Sequence, residues 1–159
     1  ETAMTPSATT TPQQPPWRPL WSARTLQLER LCIHHLIALA GRLGMAAVFW
    51  QSGRTKVDSW LTVNDSAIEL FRTEYQLPLL PPELAAHLAA YAEHLFPLLL
   101  VLGLATRLSA LALLGMTLVI QVFVYPQAWP THLVWATVLL YLAGRGAGGL
   151  SLDRWLRID

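Results

Sequence analysis

Four apolar stretches dominate this chain, and no other feature restricts its fold so strongly. They run over roughly 31–51, 83–104, 107–125 and 131–147. A helix needs about 20 apolar residues to cross the ~30 Å hydrocarbon core of a bilayer, within a range of ~17–25. All four are on that scale, the last narrowly. In lipid, backbone N–H and C=O groups must be satisfied internally, so each stretch reads as a helix. The expected fold class is therefore all-α, a four-helix transmembrane bundle over residues 31–157. Composition agrees: 53% of residues are hydrophobic and 13% charged, where a soluble domain carries about 25% charge. A disordered chain is excluded, and a freely soluble enzyme is disfavoured.

The remaining composition narrows the function classes. A net charge of +1 gives no clustered basic footprint, so no nucleic-acid partner is expected. The single Cys32 excludes an intrachain disulfide framework and any zinc or iron–sulfur site built from this chain's cysteines alone. It reads as a small apolar filler. Residues 1–30 open on ETAMTPSATTTPQQPP and read as a disordered or amphipathic N-terminal tail.

Orientation follows from basic residues in the flanks. With four crossings, one side holds Arg18, Arg24, Arg30, Arg107, Arg145, Arg154 and Arg157, and the other Arg54, Lys56 and Arg72. Both termini are therefore expected in the cytoplasm, as in a multi-pass protein of the bacterial inner membrane. Trp17, Trp21 and Trp155 would mark the inner interface, and Trp50, Trp60 and Trp129 the outer one. The 52–82 connection is too long for a simple turn. Asn64 or Asp65 can cap a short interfacial helix with Ile68, Phe71 and Tyr75 at helical spacing, before Pro78, Pro81 and Pro82 break it.

Polar residues within the apolar stretches carry the functional argument, because a charge at the bilayer centre costs at least ~2.5–3.5 kcal/mol. Arg42 and Glu93 each sit close to the middle of their spans, on antiparallel neighbours, so a mutual ion pair facing the interior is expected, with His94 beside it. Its purely structural alternative is a buried pair that fixes helix register. Gln51, Gln121, Tyr125, His132 and Lys56 lie toward the outer half. Arg42, Ala46, Phe49, Gly53 and Lys56 share one helix face if the first helix continues. These groups can converge on one cavity running from the midplane outward, although Gln51 and Gln121 can equally serve as interhelical hydrogen-bonding residues.

His34, His35, His87, His94 and His132 show no strong ligand spacing, so no metal site is expected. The glycine-rich run 144–149 follows no strand and is no phosphate loop. It reads as a helix stop, with Ser151 capping a short helix that carries Asp153, Trp155 and Leu156. No nucleophile elbow, zincin motif or Walker loop occurs, so any chemistry would be quinone- or cofactor-coupled, or borrowed from a partner.

These pieces in this order resemble the DoxX family of small bacterial membrane proteins. The likeness rests on Arg42 with Phe49 and Gly53–Lys56, on Leu77-Pro78-Leu79-Leu80-Pro81-Pro82, and on Ala92-Glu93. It continues through Gly103-Leu104-Ala105-Thr106-Arg107, Val119 to Pro126, His132 with Trp135, and Gly144 to Asp153. It implies a four-helix membrane bundle and points to Arg42, Lys56, Glu93, Arg107 and Gln121 as site positions. Relatives include the large subunit of a thiosulfate:quinone oxidoreductase and membrane partners of thiol or sulfur redox enzymes. The resemblance thus implies a membrane subunit of a quinone-linked sulfur or thiol oxidoreductase complex, with quinone as the cofactor and a partner subunit. Glu93 and Arg42 would be catalytic. Lys56, Gln51, His94, Arg107, Gln121, Tyr125 and His132 would bind substrate or quinone, and a cationic outer mouth of Lys56 and Arg54 would attract an anionic sulfur compound. The alternatives are a non-enzymatic membrane anchor or scaffold for a soluble partner and a small-molecule or metal transporter that works as a homo-oligomer.

Overall fold

The computed structural model describes residues 33–157. The expected tail over 1–30, Trp17, Trp21 and Cys32 lie outside the described residues. The described chain is all-α. Its helices are α1 (His34–Arg54), α2 (Asp65–Leu70), α3 (Pro82–Leu102), α4 (Thr106–Val119), α5 (Trp129–Arg145) and α6 (Leu152–Leu156). Among the described residues two helices, Pro82–Leu102 and Thr106–Val124, are long and apolar enough to cross a membrane.

The four longer helices close into a ring. The main pairings are α1 on α3 and α4 on α5, completed by α3 on α4 and α1 on α5. Their shared core is Ala38, Met45, Ala46, Phe49, Leu100, Ala110, Leu113, Leu139 and Leu142. Alanines at the contacts let the backbones approach closely. Leucines such as Leu36, Leu108, Leu118, Leu133 and Leu140 point outward and stay exposed. An apolar exterior on this scale is what a lipid-facing surface requires.

Local chemistry sets the ends. Asn64 caps α2, its side chain accepting from the Ala67 N–H at 2.7 Å, as the spacing predicts. The helix then widens into a π-turn over Phe71–Tyr75, stopped by left-handed Gln76. Pro82 opens α3 with Glu83 in its first turn, where a missing N–H costs nothing and a negative charge faces the helix dipole. Inside α3, Pro97 supplies no N–H to the Glu93 carbonyl four residues earlier. A second π-turn, Ile120–Val124, ends the long helix begun by α4.

One end of the bundle is locked by two buried charges. The Arg42 guanidinium donates to the carbonyls of Leu100 and Val101 at 2.8 and 3.1 Å, and to those of Ala147 and Leu150 at 2.8 Å each. Leu100 and Val101 belong to the last turn of α3, where carbonyls run short of helical donors, although Leu100 also accepts from the Gly103 N–H at 3.1 Å. A buried cation there satisfies them and complements the negative end of the dipole. Asp153 does the converse for α4, accepting from the N–H groups of Ala105 and Thr106 at 2.6 and 2.9 Å. Ser151 holds α6 in place by accepting from the Arg154 N–H. Gly103 makes the corner possible. Its φ is +66°, and a Cβ there would lie 2.6 Å from Ser151 Cβ and 2.8 Å from an Arg42 nitrogen.

Arg42→Leu leaves four carbonyls, two of them buried, without this donor, and Gly103→Ala forces a methyl group into the same corner. Each is expected to destabilise the bundle by about 3 kcal/mol or more. Thermal unfolding in detergent reads this directly. An unchanged midpoint for both variants would show that the clamp contributes nothing.

Candidate functional site

At the other end the bundle is hollow. Lys56, two residues past α1, is the sequence's only lysine, and it is buried to 7% exposure. A short hairpin turns it inward: Lys56 N–H bonds the Gly53 carbonyl, Asn64 N–H bonds the Lys56 carbonyl, and Val57 pairs antiparallel with Val63. The ammonium donates to Glu93 Oε2 at 2.7 Å, to Ser52 Oγ at 3.0 Å and to the Ser52 carbonyl at 3.2 Å. Ser52 Oγ in turn donates to Glu93 Oε1 at 3.2 Å. Both carboxylate oxygens and all three ammonium hydrogens are thereby engaged. Gly53 permits this approach: a Cβ there would stand 2.9 Å from His94 Cε1 and 3.0 Å from Glu93 Cβ.

The ion pair lines a cavity of about 470 Å³, within the ~300–1,000 Å³ range of small-molecule sites. Phe49, Phe71, Phe96 and Trp135 supply aromatic wall. Trp135 tilts against Phe49 with centroids 5.7 Å apart and against His132 at 5.2 Å. His132 is buried and its Nδ1 lies 2.6 Å from Gln121 Oε1. Gln121 donates its amide N–H to the Pro126 carbonyl at 2.8 Å, which turns its oxygen toward the imidazole. Nδ1 is therefore the donor of this bond. Tyr75 and Tyr125, each at the end of a π-turn, also line the cavity, their hydroxyls 3.3 Å apart. Burial, then the bond to Tyr125, pushes the Tyr75 phenol well above its ordinary range. It stays a protonated donor at neutral pH.

The structure brings together Lys56, Glu93, Tyr125 and His132 from the residues expected to form a site, with Gln121 acting through His132. It corrects two expectations. Arg42 and Glu93 do not pair: Glu93 is joined to Lys56, and Arg42 is engaged by carbonyls at the opposite end. The reason is register. Opposite Glu93 stand Ser52 in the last turn of α1 and Lys56 just beyond it, while Arg42 lies against the C-terminal turn of α3. Nor does Lys56 form a cationic mouth with Arg54, because its charge is neutralised inside the cavity. Three further candidates lie off the cavity. Gln51 is exposed on the outer face of α1, and Arg107 is exposed near the Arg42 clamp. His94 turns toward Trp50, with ring centroids 4.9 Å apart, and its buried Nε2 has no hydrogen-bond partner among the described residues.

Ser52 and Tyr75 were not among the expected site residues. Ser52 stands four residues before Lys56, the spacing of one helix face, which is a usable signal. Nothing local announces Tyr75, since a π-turn places it. Among the described residues no group of three His, Cys, Asp or Glu side chains is close enough to hold a metal ion.

Comparison with known proteins gives two matches. The family model described as DoxX matches residues 37–126. An uncharacterized protein of Haemophilus influenzae is 32% identical over 127 residues, covering 73% of this chain and 80% of that protein. No solved structure matches.

Glu93→Gln or Lys56→Met alone leaves one buried charge without its counterion, and each is expected to cost about 3–5 kcal/mol. The double variant Lys56→Met/Glu93→Leu removes both charges and is expected to recover most of that loss. A double variant as unstable as the sum of the singles would contradict the pairing.

Proposed function

Because the chain belongs to the DoxX family, we propose that its cavity holds a quinone as part of a membrane-bound, quinone-linked oxidoreductase complex. The observation that carries this reading is the neutral, hydrogen-bonded Lys56–Glu93 pair set in an aromatic-walled cavity. A net-neutral site in apolar walls favours an uncharged amphipathic molecule over a free anion, whose charge would be buried without a counterion. A quinone ring fits against Trp135 and Phe49. Its carbonyl oxygens need donors, and the Tyr75 and Tyr125 hydroxyls are of that kind.

Reduction of a quinone to a quinol takes two electrons and two protons. In this reading the electrons come from a partner subunit that oxidises a sulfur or thiol compound. This chain supplies binding and protons. Glu93 and Lys56 form an acid–base pair that can pass a proton to a reduced oxygen and regain it from the outer side, with His132 Nε2 as a second relay. Arg42, expected as catalytic, takes a positioning role here through its hold on the end of α3.

The same reading places the chain in the bacterial inner membrane with four crossings and both termini inside. Outward leucines on α1 and α5 support it, as does the excess of arginine at the Arg42 end. In a Cys32→Ser background, Ser66→Cys should react with an impermeant maleimide added outside, and Arg154→Cys only after the membrane is opened. Labelling of both from one side would overturn the topology.

The quinone reading is tested by tryptophan fluorescence of the reconstituted protein titrated with a short-chain ubiquinone. Saturable quenching is expected, largely lost in Trp135→Phe and shifted at least about tenfold to higher concentration in Glu93→Gln, a change that one charge-assisted contact can produce. Non-saturable quenching, equal in all variants, would contradict it.

A further inference from the structure

A second hollow lies on the outside of the bundle and shares no residue with the cavity. It has a volume of about 660 Å³ between α1, α3 and the tip of the hairpin after α1. Arg54 and Ser59 form its polar end, and Trp50, Trp60, Leu95 and Leu98 its apolar walls. Trp50 and Leu98 also bound an adjoining hollow of about 380 Å³ that continues along the α1–α3 seam to Leu43 and Val101. Together they make one groove, polar at the end of α1 and apolar below.

Three features mark this groove as built for an occupant. Arg54 is exposed, and among the described residues no carboxylate lies within ion-pair distance of it. Its guanidinium makes one long contact, 3.4 Å to the Ser59 carbonyl. Trp60 is 91% exposed, at the centre of a tight turn closed by the Leu61 N–H on the Ser59 carbonyl at 2.8 Å. That turn holds Leu61 at φ +83°, a conformation that costs a branched residue energy. The loop thus keeps a large indole over the groove instead of folding it away. Finally, the α1 residues from Leu43 to Arg54 span about 16 Å at ~1.5 Å per residue, close to half of the ~30 Å hydrocarbon core. That is the depth of one leaflet.

We propose that this groove binds an anionic glycerophospholipid, its phosphate at Arg54 between Trp50 and Trp60, and one acyl chain along Trp50 and Leu98 toward Leu43. A free cation flanked by interfacial tryptophans meets an anionic headgroup at the level where the chain enters hydrocarbon. The apolar seam below it takes a single chain edge-on. A zwitterionic lipid has the same tail but carries a compensating positive charge, so the groove discriminates by headgroup.

The test is native mass spectrometry of the full chain released from micelles with phosphatidylglycerol or phosphatidylcholine of matched acyl chains. Preferential retention of phosphatidylglycerol is expected, reduced about tenfold in Arg54→Gln and also reduced in Trp60→Ala. Both positions are exposed, and an unchanged unfolding temperature will verify that the variants remain folded. Millimolar inorganic phosphate should not displace the lipid. Equal retention of the two lipids, retention unaffected by Arg54→Gln, or displacement by free phosphate would each overturn the proposal.

Discussion

The ion pair between Lys56 and Glu93 is the interaction on which the hollow end of this molecule depends. Opposite charges 2.7 Å apart in a medium of low dielectric attract strongly, yet each has lost its hydration. Such a pair is tolerable only when the remaining donors and acceptors are also met. Ser52 meets them, using its hydroxyl and its carbonyl. The closeness of α1 to α3 at Gly53 brings the three side chains into range, so packing and electrostatics fix the same helix register. The result is a polar knot without net charge, facing an apolar space.

The two ends of the bundle divide the work. At the Arg42 end buried charges tie the end of α3, the start of α4 and the segment after α5 together. A guanidinium closes the last turn of α3, an aspartate opens α4, and the chain after α5 is threaded between them. At the Lys56 end the connections are wider: a hairpin, a short capped helix and two π-turns. Those turns spread the walls and deliver Tyr75 and Tyr125 to the cavity.

Much of this was legible in the residues. The apolar stretches give the long helices nearly to their ends, because burial in lipid or core demands that length. Asn64, the prolines before α3 and Ser151 announce their local structure through side-chain chemistry alone. The candidates Lys56, Glu93, Tyr125 and His132 do share one cavity. What the residues could not reveal was pairing across helices. Arg42 and Lys56 lie on the same face, and either could meet Glu93 in some register. The choice is set by how α1 and α3 slide and by a side chain long enough to reach the carbonyls of α3. Asp153 caps a helix that begins 47 residues earlier, a contact that no local pattern contains. The π-turns likewise arise from packing, and with them the position of Tyr75.

The most direct measurement uses the fact that Lys56 is the sequence's only lysine. With lysine labelled by nitrogen-15 at Nζ and glutamate by carbon-13 at its carboxyl, solid-state NMR of the protein in bilayers measures their dipolar coupling. Strong dephasing of the single lysine amine signal is expected, as a 2.7 Å nitrogen–oxygen contact requires, with its loss in Glu93→Gln. A lysine signal without dephasing, reactive to amine reagents added to the intact protein, would contradict the buried pair.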